Sequence, residues 1–146
     1  MKKFYILLLF ILIIINSLFA TIQQSLDTTN PEYWKNQALF NLIPFWENTI
    51  DRDDGCFYTD VEENGSVWGP SKKYPRMISR IIFGFCAAYL LSGEDKYLEF
   101  AKHGIDYLIN YGWDKENGGW FTYIDESGEP DEWDKDLFDQ TYCNLG

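Results

Sequence analysis

Lys72 to Leu91 reads KKYPRMISRIIFGFCAAYLL, and this stretch decides the fold. From Ile81 onward nearly every residue is apolar on all helical faces at once, which predicts a helix buried on all sides. It is too short and too interrupted to cross a bilayer. Pro70 and Pro75 bracket its start, and Gly93 is a natural stop after Ser92. Arg76 and Arg80 are the last charges before the apolar run closes over, and their four-residue spacing puts them on one helix face. A guanidinium at the mouth of a buried helix must be paired or must meet a ligand.

Working outward, the same pattern is written on both sides of this helix. Asp51 to Gly65 reads DRDDGCFYTDVEENG, and Asp114 to Gly128 reads DKENGGWFTYIDESG. Asp51 matches Asp114, Gly55 matches Gly118, Phe57 matches Trp120, Thr59 matches Thr122, Val61 matches Ile124 and Gly65 matches Gly128. The offset is 63 residues throughout (114 minus 51). That is longer than the roughly 34 to 47 residues usual for helical solenoid repeats, so each unit is read as a helical pair carrying a β-hairpin excursion. Asp53-Asp54-Gly55 and Glu63-Asn64-Gly65 are turn signals around a strand-like Cys56 to Val61.

A first helix is expected from Asn30, as N-cap, and Pro31 to about Ile50, kinked by Pro44. A third is expected from Asp95 to Tyr111, with Tyr97, Leu98, Ala101, Ile105 and Leu108 inward and Glu99, Lys102 and Asp106 outward. The contrast between an amphipathic third helix and an apolar second one predicts an outer helix beside an inner one. A fourth helix opens near Asp134. Its apolar face has only begun where residue 146 falls, and two repeat units do not cover the inner helix. The chain is therefore expected to be the N-terminal, truncated part of a longer protein, poorly folded when alone.

The 146 residues are 46% hydrophobic and 18% aromatic, with a formal net charge of −11. That charge repels nucleic acid and anionic membranes. The aromatic share points to a dense core or to surfaces that stack on sugar rings. Residues 1–20 resemble a secretory signal peptide: Lys2 and Lys3, an apolar run from Phe4 to Ile15, then Leu18-Phe19-Ala20. Export to the periplasm or outside is expected, the alternative being an uncleaved anchor over residues 4–20. Residues 21–29 read as a linker, and 30–146 as one domain. Cys56, Cys86 and Cys143 are odd in number and widely spaced, which fits neither a disulfide framework nor a metal quartet. No cofactor or metal site is expected.

Several residues compete for a functional role. Asp51 to Gly55 invites a calcium reading, but Gly falls fifth where a calcium loop needs it sixth, so a turn is preferred. His103, the single histidine, has general acid–base work as its sharp reading. A solvated or capping residue on an outer helix is the reading adopted. Arg80 is the candidate catalytic residue, against the alternative of a structural ion pair with one of the many acids. Arg76, in the first turn and expected to be more exposed, is a candidate substrate-binding residue. Asp139 and Gln140 open the fourth helix, repeat-equivalent to the arginine-bearing one, and are further candidates. Their alternative reading is ordinary helix-start polarity.

Taken in order, Pro44-Phe45-Trp46, Asp53 to Tyr58 with Asn64-Gly65, Arg80 to Phe85 with Ala87-Ala88-Tyr89, Tyr97-Leu98, Ala101 to Gly104, Asp114 to Phe121 and Asp139-Gln140 resemble the N-acylglucosamine 2-epimerase family. That family includes the cellobiose 2-epimerases. The resemblance implies an all-α fold, here a partial (α/α)6 barrel or toroid of helical hairpins with short β-hairpin excursions. It implies a carbohydrate 2-epimerase or isomerase that moves the C2 proton of a reducing sugar, with Arg80 steadying the enediolate oxygen. It also implies a histidine pair on later helices, outside this chain; His103 matches neither. A small saccharide is the expected partner. Arg76 stands where the family often has Trp, Ile78 where it often has Gln, and Phe138 where Tyr is common. Two alternatives remain: an (α/α)6 glycoside hydrolase, with Asp139 as one of two carboxylates, and a non-catalytic sugar-binding relative using Trp68, Trp120 and Trp133 as stacking platforms.

Overall fold

The computed structural model describes residues 10–18, 28–52, 55–67, 72–131 and 134–146. It divides into two compact units, Met1–Gln37 and Ala38–Gly146. In the first, residues 10–18 form helix α1, exposed along its whole length. Helix α2 covers Pro31–Gln37. Asn30 caps it as its sequence predicts: the side-chain oxygen accepts the Glu32 N–H at 3.0 Å. The remainder of the expected signal peptide, and all of the linker except Thr28 and Thr29, lie outside the described residues. No helix among the described residues is long and apolar enough to cross a membrane.

The second unit begins with a π turn, Ala38–Leu42, followed by helix α3, Ile43–Glu47. The single helix expected over residues 31–50 is thus in three pieces. The cause is Pro44, which has no N–H to give the carbonyl of Phe40 and whose ring would strike that carbonyl in a regular helix. The backbone widens into the π turn just ahead of it. Helix α4 spans Pro75–Ser92 and ends on Gly93 at φ 74°, where the Gly93 N–H reaches the Tyr89 carbonyl. Only a residue tolerant of left-handed backbone closes a helix this way. Helix α5 covers Lys96–Tyr107 and passes into a π turn, Leu108–Gly112, closed by Trp113 N–H to Leu108 O at 3.1 Å. Helix α6 covers Leu137–Cys143. It starts later than Asp134 because Thr122 Oγ1 donates to the Asp134 carbonyl and Lys135 is drawn back to Asp114. Asp136 caps it, accepting the Phe138 N–H at 2.6 Å.

Helix α4 is the centre, packed against α3, α5 and α6. It buries Ile78, Ile81, Ile82, Phe85 and Ala88. The Phe85 ring lies 5.7 Å from Phe57 and 5.2 Å from Phe100. Helix α5 closes on this core through Gly104, where a Cβ would fall 2.6 Å from Phe57 and 2.7 Å from Ile82. Glu99, Lys102 and Asp106 point outward, as the amphipathic pattern requires. The expectation that α4 is buried on all sides is corrected. Phe83 is 54% and Leu90 82% exposed. Both lie toward the C-terminal half of α4, beyond the turns around Arg76 and Arg80 that meet α6.

The two excursions repeat in detail. Ile50 bridges Phe57 as Trp113 bridges Trp120, and Val61 bridges Val67 as Ile124 bridges Pro130, each at the offset of 63. These are isolated bridges, so the strand expected over Cys56 to Val61 is shorter than its sequence suggests. Both excursions sit at one end of the helices, because Lys73 joins them. Its ammonium bonds Asp51 at 2.6 Å and the Phe57 carbonyl at 3.3 Å, while its backbone pairs with Ile124.

Candidate active site

The turn motif at the start of each excursion is closed by a buried ion pair. Asp114, 3% exposed, accepts the N–H groups of Glu116 and Asn117 and the Lys135 ammonium at 2.6 Å. The lysine bond first, and then these N–H groups, hold its carboxyl well below the usual aspartate range. Asp51 and Lys73 are the counterpart in the first excursion. The two lysines are 62 residues apart (135 minus 73), one short of the repeat, so Lys73 follows its aspartate by 22 residues and Lys135 by 21. That single-residue slip hid the pairing from a match made strictly at 63.

His103 is not a solvated residue. Its Nε2 accepts the Cys56 N–H at 2.7 Å, and its ring stands edge-on to Phe57. Cys56 sits at φ 79°, a left-handed conformation that costs a non-glycine residue energy, where the second copy has Gly119 at φ 89°. The imidazole therefore pins a strained turn. Burial pushes the Cys56 and Cys143 thiols up to about 12, which leaves neither as a nucleophile.

On α4, the two arginines meet different fates. Arg76, expected to be exposed, is half-buried, and its Nη1 donates to Asp139 Oδ1 at 2.8 Å. Burial works against its charge, but the bond to Asp139 and that carboxylate's charge outweigh it and raise its pKa. Tyr74 lies 5.2 Å from its guanidinium. Asp139 is 2% exposed, so it is a buried partner rather than a helix-start charge; Asp136 fills that position. Gln140 clamps the second excursion: its oxygen accepts the Trp120 N–H at 2.8 Å and its amide donates to the Trp120 carbonyl at 2.7 Å.

Arg80 is exposed and joins no ion pair among the described residues. Its guanidinium lies 4.1 Å from the centroid of the Tyr142 ring and 3.8 Å from Met77 Sδ. It stands at the edge of a cleft of about 340 Å³ walled by Leu42, Ile43 and Trp46 on one side and by Ile81, Gly84 and Phe85 on the other. A second, more polar groove of about 700 Å³ runs past Arg76, Tyr123, Lys135, Phe138 and Asp139. The structure thus brings Arg76 and Asp139 together, engages Gln140 elsewhere and leaves Arg80 open. Tyr142 is the residue sequence reasoning missed; nothing but its place one turn after Phe138 marks it. Of the proposed stacking platforms, Trp120 is half-buried edge-on against Trp113, and Trp68 and Trp133 lie outside the described residues.

The described residues form helical pairs that carry bridged turn excursions at one end, an all-α class of architecture with two arginines on its central helix. The profile of the N-acylglucosamine 2-epimerase (GlcNAc 2-epimerase) family matches residues 24–146, and the chain belongs to that family. The cellobiose 2-epimerase of Bacteroides fragilis is 30% identical over 114 residues, which is 77% of this chain and 29% of its own length. That of Dictyoglomus turgidum is 32% identical over 108 residues, 72% of this chain and 27% of its own. The D-mannose isomerase of Marinomonas mediterranea is 31% identical over 90 residues, 62% and 23% respectively. A solved sugar epimerase from a ruminal bacterium superposes with a TM-score of 0.68 at 28% identity, over 75% of this chain and 28% of its own. The fold is accordingly part of an (α/α)6 barrel. The chain spans less than a third of the length of these relatives.

Proposed function

We propose that the protein is a carbohydrate 2-epimerase or isomerase acting on a reducing saccharide, and that Arg80 is its oxyanion-stabilising residue. Removing the C2 proton of an open-chain aldose leaves an enediolate with its negative charge on O1. Returning the proton to the other face of C2 re-forms the C1 carbonyl and gives the epimer; placing it on C1 instead, with the O2 hydroxyl proton passing to O1, forms the C2 carbonyl and gives the ketose. One intermediate thus serves both reactions named among the relatives. The observation that carries the reading is the contrast on α4. Arg76 is neutralised by Asp139, whereas Arg80, which lines a cleft, has no ion-pair partner among the described residues. A fixed planar donor there suits an enediolate oxygen. Arg76, Asp139 and Gln140 shape the site by holding α4, α6 and the second excursion together. His103 is not assigned the proton transfer, because its Nε2 is bound to the Cys56 N–H. A hydrolase reading is disfavoured because Asp139 is buried and salt-bridged to Arg76.

In the full-length protein, Arg80→Ala is expected to lower turnover on the order of a hundred- to a thousand-fold with an unchanged melting temperature. Arg80→Lys recovers only part of it, because a point charge does not reproduce a two-pronged donor. Retention of the parent rate by Arg80→Ala, measured per folded molecule, would falsify the assignment.

Export through residues 1–20 belongs to the same proposal, supported by Lys2, Lys3 and the apolar run after them. N-terminal sequencing of the mature protein is expected to begin just after Ala20. A mature chain still starting at Met1 would favour the anchor over residues 4–20.

A further inference from the structure

Arg80 needs something to hold it, since a free arginine samples many rotamers and an oxyanion is stabilised only by a donor already in place. An acid would orient the guanidinium but also cancel its charge. Here the support is an aromatic face: the Tyr142 ring, 4.1 Å from Arg80 Cζ. The Tyr142 ring is itself backed by Phe138, with ring centroids 4.5 Å apart. A ring attracts the cation through its quadrupole and consumes none of the in-plane N–H donors.

The helix carrying that ring is fixed against α4 by two further contacts. Arg76 pairs with Asp139, and Ser79 Oγ donates to the Tyr142 carbonyl at 2.8 Å, each between residues 63 apart. Ser79 Oγ in turn accepts the Gly146 N–H at 2.7 Å. Arg76, Ser79 and Arg80 share one face of α4, and Asp139 and Tyr142 lie one turn apart on α6. The salt bridge sets the register, the serine anchors the Tyr142 backbone, and the ring then lies against the arginine.

We propose that Tyr142 is the positioning residue for Arg80, holding its guanidinium by a cation–π contact that leaves the charge and the donors available to the substrate. This rests on the reading of Arg80 given above. In the full-length protein, Tyr142→Leu is expected to lower kcat by about two- to thirty-fold, the range such a contact is worth, with KM changed less. Tyr142→Phe, which keeps the ring, restores the rate that Tyr142→Leu loses. The Arg80 Nε–H proton resonance supplies a readout independent of turnover. It is displaced by the ring current in the parent and in Tyr142→Phe and returns to the ordinary arginine position in Tyr142→Leu.

A Leu variant with parental kcat, in a protein that Arg80→Ala inactivates, overturns the positioning role and leaves the catalytic one standing. A Leu variant whose loss of rate only tracks a loss of folded protein overturns it as well. If Arg80→Ala itself keeps the parent rate, the catalytic reading falls, and the ring contact is packing alone.

Discussion

At the scale of single residues, the histidine is where chemistry and support part. An isolated His on a helix invites an acid–base role, yet His103 spends its acceptor on the N–H of Cys56. That N–H belongs to a residue held at positive φ and buried to 0% exposure, so no water replaces the imidazole easily. His103→Ala is expected to destabilise the protein by about 1–3 kcal/mol, the cost of leaving a buried donor unbonded, while turnover per folded molecule stays at the parent level. Equilibrium urea melts together with a sugar assay check this. A stable variant with reduced turnover would return His103 to the candidate site. The sequence placed this residue on the right helix but could not disclose its partner, which lies 47 residues away across an irregular turn.

At the scale of elements, each excursion is a turn tied to the following segment by a lysine. Asp114 has its pKa lowered by Lys135 and by backbone N–H groups. A lowered carboxylate contributes stability that is fully present above the ordinary aspartate pKa near 4 and is lost as pH falls through the lower folded value. Lys135→Met removes the principal cause. The variant is expected to be less stable at neutral pH and to lose less stability than the parent on going from pH 5 to pH 2. Parallel acid titrations of the two proteins, followed by circular dichroism, measure the difference; identical acid limbs would show that Lys135 does not set the Asp114 pKa. The helices themselves were legible in advance. Pro75, Gly93 and Asn30 punctuate them where expected, because capping chemistry is local and needs no knowledge of neighbours. The π turns were not legible, since their cost is decided by backbone hydrogen bonds around Pro44 and by closure of Trp113 onto Leu108. The repeat was read correctly for its turns. It failed for the lysines, whose spacing from their aspartates differs by one residue between the two copies.

At the scale of the whole molecule, one face of α4 is the dominant fact. Phe83 and Leu90 lie open there alongside Arg80, and Phe40 (71%) and Leu137 (81%) are exposed elsewhere in the same unit. Such area in contact with water is unfavourable by about 25 cal/mol for each Å². Residues 1–146 alone are expected to bind an apolar dye strongly and to melt over a broad range. A sharp cooperative transition without dye binding would show that this segment is a self-sufficient domain. Whether α4 was open or enclosed could not be read from its composition, because an all-apolar helix looks the same whether or not its neighbours are present.

The repeat also meets itself. Arg76 pairs with Asp139 and Ser79 with Tyr142, positions that correspond to each other in the two copies. When like stacks upon like, an unaltered duplicate would set arginine against arginine and repel. Two such copies stay together only by growing apart at the seam. At Arg76 and Asp139 the copies differ in charge where they touch, and that divergence is what lets the duplicate lie against its own original.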